Sequence, residues 1–228
     1  MIVLIVAAHP DDEVLGCGGS IAKHIHNGDE VHVYLLSEGL TSRYNRRDRE
    51  KRAEELSALA QAAREANRML GVSSLALHDF PDNRMDSVDL LDVVKMVEKS
   101  IDKHKPDIVY THHAGDVNID HRIVHQAVTT ACRPLPAQCV QTLLFFEVPS
   151  STEWQTPGSA PPFLPNYFVN ISNFLDKKLM ALEAYQSEMR SWPHSRSVQA
   201  IEHLARWRGA MVGVEAAEGF MLGKKLIT

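Results

Sequence analysis

Apolar residues along the chain form short runs that alternate with longer amphipathic stretches. The first run, Met1–Ala8, is apolar at consecutive positions, as is typical of a central parallel strand covered by helices on both faces. Similar runs predict strands at Val31–Ser37, Ser74–Phe80, Asp107–His113 and Thr142–Val148. The stretches between them predict helices at Gly18–Asn27, Asn45–Leu70, Val88–Lys103 and His121–Cys132. This alternation predicts an α/β fold with a doubly wound, mostly parallel sheet (Rossmann-like) and helices on both faces.

The pattern changes after the fifth predicted strand. Residues 148–166 are rich in Pro, Ser and Thr and predict a long ordered loop, which we interpret as a lid over the sheet. Two helical stretches follow, at about Phe174–Glu188 and Ser197–Gly209, and a last strand falls within 219–227. We therefore expect a single domain over 1–228, with a helical C-terminal portion, 167–228, on the same body.

Composition limits the classes of function. The net charge is −5, which excludes a broad basic surface, so we expect no nucleic-acid partner. No segment reaches the ~20 apolar residues of a membrane span. The three cysteines lack CxxC spacing and fit a reducing compartment, and the first apolar run lacks the basic region of a signal peptide. These features predict a cytoplasmic protein.

The first predicted strand runs directly into a polar cluster, HPDDE at residues 9–13. In open α/β sheets, ligands bind beyond the carboxyl ends of the strands, near the point where strand order reverses. One aspartate would suffice to cap the following helix, which leaves a histidine and two carboxylates unexplained. A divalent metal explains the whole cluster, since imidazole nitrogen with carboxylate oxygen suits zinc, which in catalytic sites keeps one position open. His9 and Asp12 are the candidate ligands, and Asp11 is left for another task.

The glycines of GCGGS, residues 16–20, offer a competing interpretation as a dinucleotide-binding turn. Their spacing is not a full GxGxxG, and the preceding carboxylates would repel a pyrophosphate. We therefore expect these glycines to allow a close approach of helix to strand.

A second polar segment, THHAGDVNIDH at residues 111–121, follows the strand that begins at Asp107. Each of its histidines alone has an ordinary structural explanation. Because the segment closes another parallel strand, however, the predicted fold brings it beside HPDDE, where it can supply a third metal ligand.

The motifs AHPDDE and GCGG, with D-x-N-x-D-H after PDIVYTHH, resemble the PIG-L (LmbE-like) family of zinc-dependent N-acetyl-sugar deacetylases. The resemblance extends through EVPSSTEW to the C-terminal AEGF. It implies one Zn²⁺ per chain, or another divalent metal, bound by His9, Asp12 and His121. It also implies that Asp11 is the general base for the attacking water and that the substrate is a small-molecule sugar of the N-acetylglucosamine type or its conjugate. Whether the protein forms a homo-oligomer is left open by the sequence.

One position departs from the family pattern. Many members have a histidine where this chain has Asn118, a catalytic candidate that can donate a hydrogen bond but cannot supply a proton. We therefore predict that Asp11 makes both proton transfers; a separate acid at one of three other histidines is the alternative. The three histidines are His112, His113 and His194.

Asp120 is expected either to orient a neighbouring donor or to cap the helix that begins there.

Three residues at strand ends are predicted to bind substrate. Arg43 follows the second strand, and its guanidinium suits sugar hydroxyls, carboxylate or phosphate, although it is also typical of an exposed surface residue. His112 closes the fourth strand. Glu147 ends the fifth and leads into the loop with Trp154, whose ring would stack on a sugar or anchor the loop. DFPDNRMD, residues 79–86, is expected at the rim, and SWPHSRS, residues 191–197, near the entrance.

Two further functions stay open at the level of sequence. A branch of the same family is a metal-dependent hydratase that adds water to an unsaturated dicarboxylate with the same metal set. The other alternative is a non-enzymatic or nucleotide-binding module on the same fold.

Overall fold

A seven-stranded sheet with helices on both faces forms the body of the protein. It is seen in a computed structural model that describes residues 1–136 and 138–227. The strands are β1 (Ile2–Ala7), β2 (Glu30–Ser37), β3 (Ser74–Phe80), β4 (Ile108–His112), β5 (Thr142–Phe146), β6 (Tyr167–Asn170) and β7 (Ala217–Lys225). The helices are α1 (Asp12–His26), α2 (Ala53–Leu70), α3 (Leu90–His104), α4 (Ile119–Ala131), α5 (Leu175–Glu183) and α6 (Val198–Ala210).

The strand order is β3-β2-β1-β4-β5-β7-β6, which confirms the predicted mostly parallel sheet. Strands β1 to β5 run parallel to one another, and β7 is antiparallel to both β5 and β6. The chain leaves β1 towards β2 and β3 and then returns to place β4 on the other side of β1. The order therefore reverses between β1 and β4, and a crevice is expected beyond the carboxyl ends of these two strands.

Strand β1 is apolar on both faces because it contributes to two cores. Val3 and Ile5 belong to one buried cluster with residues of α1, α2 and α5, whereas Leu4 and Val6 belong to another with residues of α3 and α4. Successive side chains of a strand point to opposite faces, so a central strand with helices on both sides has no polar face.

The glycine-rich start of α1 differs from its predicted bounds. The helix begins at Asp12 rather than Gly18, and it contains a local kink at Cys17, where φ is −147°. A Cβ atom at Gly19 would lie 2.7 Å from the Cδ1 atom of Ile171, and one at Gly16 would overlap the ring of Phe146. The prediction that these glycines allow close packing is confirmed.

In the C-terminal portion the predicted last strand is present as β7, and a strand that was not predicted, β6, pairs with it alongside α5 and α6. Helix α2 begins at Ala53, well after the predicted Asn45. The 148–166 segment contains a short 3-10 turn at Thr152–Trp154. Across 1–136 and 138–227, no helix is both long and apolar enough to cross a membrane.

Candidate metal centre

Three potential ligand atoms form a small triangle beyond the ends of β1 and β4. Asp12 Oδ2 lies 3.1 Å from His9 Nδ1 and 3.1 Å from His121 Nε2, and the two nitrogens are 3.3 Å apart. Ligand atoms on a tetrahedral zinc ion with bonds of about 2.0–2.1 Å are separated by about 3.3 Å. The spacing and the donor types therefore fit one face of a tetrahedral site for zinc or a similar divalent ion.

The electrostatics of the triangle favour a positive charge at its centre. Burial lowers the pKa of His121, but the carboxylates of Asp12 and Asp116 outweigh it and raise this pKa to about 9. Burial likewise opposes the charged form of His9, whose pKa is nevertheless raised well above its usual value by hydrogen bonds to Asp12 and Asp120. A divalent cation would satisfy the same carboxylates in place of these protons.

Asp120 lies behind His9. Its Oδ2 atom is 3.0 Å from His9 Nε2, and its two oxygens accept backbone N–H bonds from Asn83 at 2.7 Å and Met85 at 2.9 Å. The Asp120 carboxylate is thus held in place. By binding Nε2 of His9, it orients the other ring nitrogen, the candidate ligand Nδ1, towards the triangle. The capping oxygen of α4 belongs instead to Asn118, whose Oδ1 accepts the backbone N–H of Asp120 at 2.9 Å.

Asp116 occupies the equivalent position behind His121. Its Oδ2 lies 3.1 Å from His121 Nδ1 and accepts a hydrogen bond from the Thr152 hydroxyl at 2.7 Å, and its Oδ1 accepts one from the Ser151 hydroxyl. Asp116 was not among the predicted site residues. The sequence does not predict these contacts, because Ser151 and Thr152 lie in a loop that follows a different strand, β5.

Asp11 stands next to the triangle but faces a different partner. Its side chain is buried, and its Oδ2 accepts a hydrogen bond from Arg196 Nη1 at 3.1 Å. Arg196 is itself held by a hydrogen bond from its Nε to Ser150 Oγ at 2.9 Å. Burial raises the pKa of Asp11 and the charge of Arg196 lowers it, with a net value of about 8. By contrast, the imidazoles of His121 and His9 overcome the burial of Asp12 and hold its pKa well below its usual value.

A cavity of about 210 Å³ opens above the triangle. The three ligand candidates and Asp11 line its floor. Its remaining walls are strongly polar and include side chains from the segment after β2, from DFPDNRMD and from SWPHSRS. Among them are Ser42, Arg43, Asn83, Asn118, Glu188 and Arg196.

Arg43 is the one predicted substrate-binding residue that lines this cavity. It forms an ion pair with the buried carboxylate of Glu188, which was not among the predicted site residues. Glu188 lies at the end of a long helical stretch in the sequence, where an isolated glutamate is typical of a solvated surface.

Glu147 does not lie in this cavity. Its carboxylate accepts two hydrogen bonds of 2.8 Å from Arg208 of α6. The prediction placed it at the site because it follows β5, but its side chain points to the neighbouring helix and is neutralised there.

His112 also lies away from the cavity, beneath the triangle. Its side chain is fully buried, its Nε2 accepts the backbone N–H of Ala8 at 2.8 Å, and its ring stacks on His121 with centroids 3.9 Å apart. Burial, followed by the charge of His121, lowers its pKa well below the usual value. The His112 imidazole therefore packs against the candidate ligand His121 and does not line the cavity.

A comparison with known protein families gives a match over the N-terminal part of the chain. The model of the family PIG-L, described as GlcNAc-PI de-N-acetylase, matches residues 4–132, which include both polar segments. The match covers more than half of the chain.

Three individual proteins are similar over most of their length. The deacetylase YaiS of Escherichia coli K12, which is uncharacterized, is 29% identical over 191 residues, covering 81% of this chain and 90% of YaiS. Diacetylchitobiose deacetylase of Thermococcus kodakarensis is 29% identical over 232 residues, covering 95% of this chain and 81% of that enzyme. The crystal structure of GalB, the 4-carboxy-2-hydroxymuconate hydratase of Pseudomonas putida KT2440, superposes with a TM-score of 0.78 at 22% identity, covering 100% and 98% of the two chains.

Proposed function

Because the chain belongs to the PIG-L family, we propose that it is an amide hydrolase that removes the acetyl group from an N-acetylamino sugar or a conjugate of one. His9, Asp12 and His121 would hold the divalent metal, with zinc as the ion that suits the donor set and one ion per chain. The observation that carries the proposal is the triangle of ligand atoms beside the carboxylate of Asp11 in one polar cavity. The names of the relatives, diacetylchitobiose deacetylase among them, support the sugar substrate.

When bound, the metal supplies Lewis-acid chemistry, polarising the amide carbonyl and making water more acidic. Asp11 accepts the proton of the attacking water and then returns it to the amine nitrogen that leaves. Burial of Asp11 favours its protonated form and the charge of Arg196 favours its carboxylate, so neither form is strongly excluded at the site. Arg196 fixes the direction of the Asp11 carboxylate through its hydrogen bond to Oδ2.

The absence of a histidine at position 118 leaves the second proton transfer to Asp11. Within the described residues, His112, His113 and His194 do not line the cavity, and His113 Nε2 is occupied by the carbonyl oxygen of Pro161 at 2.9 Å. Asn118 Nδ2 donates one hydrogen bond to Asn83 Oδ1 at 2.9 Å. Its second N–H would be available to the substrate carbonyl oxygen as negative charge develops there.

Arg43 and Glu188 would bind the sugar together. The pair presents donors and an acceptor at the cavity wall, a combination that suits the hydroxyl groups of a sugar ring. Asn83, which also lines the cavity, adds an amide with both functions. Nothing in these groups selects one conjugate of the sugar over another.

A hydratase of an unsaturated dicarboxylate is the second candidate, and one observation favours it. Three arginines, Arg43, Arg190 and Arg196, line the cavity and would suit two carboxylates. Two of the three already have carboxylate partners, Glu188 and Asp11, which weakens the attraction for a dianion. We therefore rank deacetylation first.

The test combines metal analysis with product assays. We expect one divalent ion per chain and acetate release from N-acetylglucosamine, diacetylchitobiose or a thiol- or nucleotide-linked N-acetyl sugar. Asp11→Asn should retain the ion and lose acetate release by about 10²–10⁴-fold, because general acid–base catalysis is removed. His121→Ala should lose both the ion and the activity.

Asp86→Asn is the matched control, since Asp86 is an exposed carboxylate outside the cavity and its variant should behave as the wild type. Hydration of an unsaturated dicarboxylate without acetate release from any sugar would favour the second candidate. Full activity of His121→Ala in metal-free protein would refute both.

A further inference from the structure

Glu13, the last carboxylate of HPDDE, has no place in the proposed reaction although it is completely buried. It is the second residue of α1, and it does not line the cavity above the metal triangle. In the described part of the chain it has no lysine or arginine partner within ion-pair distance. Burying a carboxylate without such a partner is costly, so its hydrogen bonds must compensate.

The hydrogen bonds of Glu13 connect three parts of the fold. Oε1 accepts one from the Tyr185 hydroxyl at 2.6 Å and one from Asn67 Nδ2 at 2.8 Å. Oε2 accepts the backbone N–H of Asp11 at 3.1 Å. Tyr185, which follows α5, and Asn67 of α2 are both buried, so the carboxylate is fixed from behind and its other oxygen is directed at the backbone of Asp11.

The backbone of Asp11 needs such support. Its φ of 106° and ψ of −31° are in a region that residues with a side chain rarely adopt, and such a conformation persists only where the surrounding structure holds it. The carbonyl oxygen of Asp11 accepts the first hydrogen bonds of α1, from the N–H groups of Val14 at 3.0 Å and Leu15 at 2.9 Å. Its own N–H points away from the helix and is bound by Glu13.

This conformation separates two adjacent carboxylates. Asp12 points to the imidazoles of His9 and His121, whereas Asp11 points to Arg196 at the cavity wall. We propose that Glu13 is a positioning residue that holds the Asp11 backbone in its left-handed conformation and so directs the Asp11 carboxylate into the cavity. The proposal rests on the function proposed for Asp11. A simple interaction of Glu13 with the helix dipole would not require the contact to Asp11.

Two substitutions separate the hydrogen-bond acceptor from the charge. Glu13→Gln keeps a carbonyl oxygen that can accept the Asp11 N–H, so kcat should stay within about threefold of the wild type, well below the effect of a misplaced group. Glu13→Met has a similar length but no such acceptor. Its kcat should fall by about 10²-fold, the cost of a displacement of about 1 Å, while KM and the metal content per chain stay unchanged.

Ile21→Ala is the control for lost stability. Ile21 is buried on the same helix and contacts neither the cavity nor Glu13, so its variant should unfold at a lower temperature without loss of kcat. If kcat fell in Ile21→Ala as it does in Glu13→Met, at equal loss of stability, the role of Glu13 would be structural and the proposal wrong.

Crystal structures provide a readout that does not depend on the substrate. In Glu13→Met the φ angle of Asp11 should return to negative values and its contact with Arg196 should be lost, whereas Glu13→Gln should keep both. An unchanged Asp11 in Glu13→Met would overturn the proposal. Absence of acetate release in the wild type would refute the proposed function alone, because the crystallographic comparison still stands.

Glu13→Asp covers the case in which Glu13→Met does not fold. It keeps the charge at the start of α1 but is one methylene shorter, which withdraws the carboxylate from the Asp11 N–H if the bonds to Tyr185 and Asn67 persist. The kcat of Glu13→Asp should therefore also be lower than that of the wild type. A wild-type kcat together with a wild-type Asp11 conformation in Glu13→Asp would contradict the proposal.

Discussion

At the scale of single residues, the HPDDE segment shows how the environment differentiates identical side chains. Asp12 faces two imidazoles that hold its pKa well below the usual value, although burial works against this. Asp11 is equally buried but has one arginine partner, and its pKa is raised to about 8. The carboxylate proposed to bind the metal and the carboxylate proposed to exchange a proton are therefore adjacent in sequence and have different environments.

The contact between Asp120 and His9 leads to a prediction about metal affinity. Asp120→Asn keeps the shape of the side chain but replaces a charged acceptor for His9 Nε2 with a neutral amide. We expect the affinity for zinc to fall by about 10–100-fold, as is usual when the orienting partner of a ligand is changed. Competition with a chelator of known affinity would measure it.

The control for this prediction is Asp79→Asn, which changes an exposed carboxylate whose partner is Arg49. Its zinc affinity should equal that of the wild type. An unchanged affinity in Asp120→Asn would contradict a role of the Asp120 carboxylate in orienting His9.

The sequence was sufficient for the metal-ligand hypothesis but insufficient for the substrate side chains. His9 and Asp12 follow from residue type and from their place at a strand end, and the adjacency of parallel strand ends brings the second polar segment beside them. The choice of His121 within that segment comes from the resemblance to the PIG-L family. Glu147 follows a strand as well, yet its side chain points to Arg208. The direction of a side chain at a strand end depends on the local backbone conformation. It also depends on charged side chains of helices that are remote in sequence, such as Arg208 of α6.

At the scale of secondary structure, α1 shows tertiary packing overriding helix propensity. Its glycine-rich first half disfavours a helix, which is why the sequence predicts a later start. The helix nonetheless begins at Asp12, because Gly16 and Gly19 let it approach Phe146 and Ile171. The same limitation hid β6, a short strand that exists by virtue of pairing with β7.

The packing of α1 predicts opposite outcomes for two neighbouring substitutions. Gly19→Ala adds a methyl group 2.7 Å from Ile171 Cδ1 and 3.0 Å from its Cβ. Overpacking of this kind costs about 1–3 kcal/mol, which exceeds the gain of about 1 kcal/mol in helix propensity. We therefore expect a lower free energy of unfolding, measured by denaturant titration.

Ser20→Ala provides the matched comparison on the same helix. The Ser20 hydroxyl is buried and has no hydrogen-bond partner within the described residues, so its removal should leave the free energy of unfolding unchanged or raise it. A Gly19→Ala protein as stable as Ser20→Ala would show that Ile171 relaxes without cost.

At the scale of the whole molecule, two clusters of histidines lie near opposite ends of the sheet. The metal triangle lies beyond the carboxyl ends of β1 and β4, the point of strand-order reversal that the alternating pattern predicts. A different pair of histidines lies near the opposite end of the sheet: His32 near the start of β2 stacks on His104 at the end of α3, with centroids 3.7 Å apart. Their protonation can be studied without disturbing the metal ligands.

The pKa values of both histidines are lowered. For His32 the main cause is burial, with Lys103 acting in the same direction and Glu30 opposing it; for His104 it is burial followed by the charge of His32. A folded-state pKa below the unfolded value of about 6.5 means that the unfolded chain binds protons first as pH falls. The stabilisation is therefore complete above about pH 6.5 and is lost below it.

Because Asp11 and Glu13, whose pKa values are raised, titrate in the opposite sense, the prediction compares a variant with the wild type. His104→Gln removes one of the two titrating groups, and its amide can still bind the Tyr34 hydroxyl, which lies 3.0 Å from His104 Nε2. Between about pH 7.5 and pH 5, its melting temperature should fall less than that of the wild type. His203→Gln, at an exposed position of α6, should follow the wild-type curve. An equal fall in His104→Gln and the wild type would show that the stacked pair does not set the acid sensitivity of the fold.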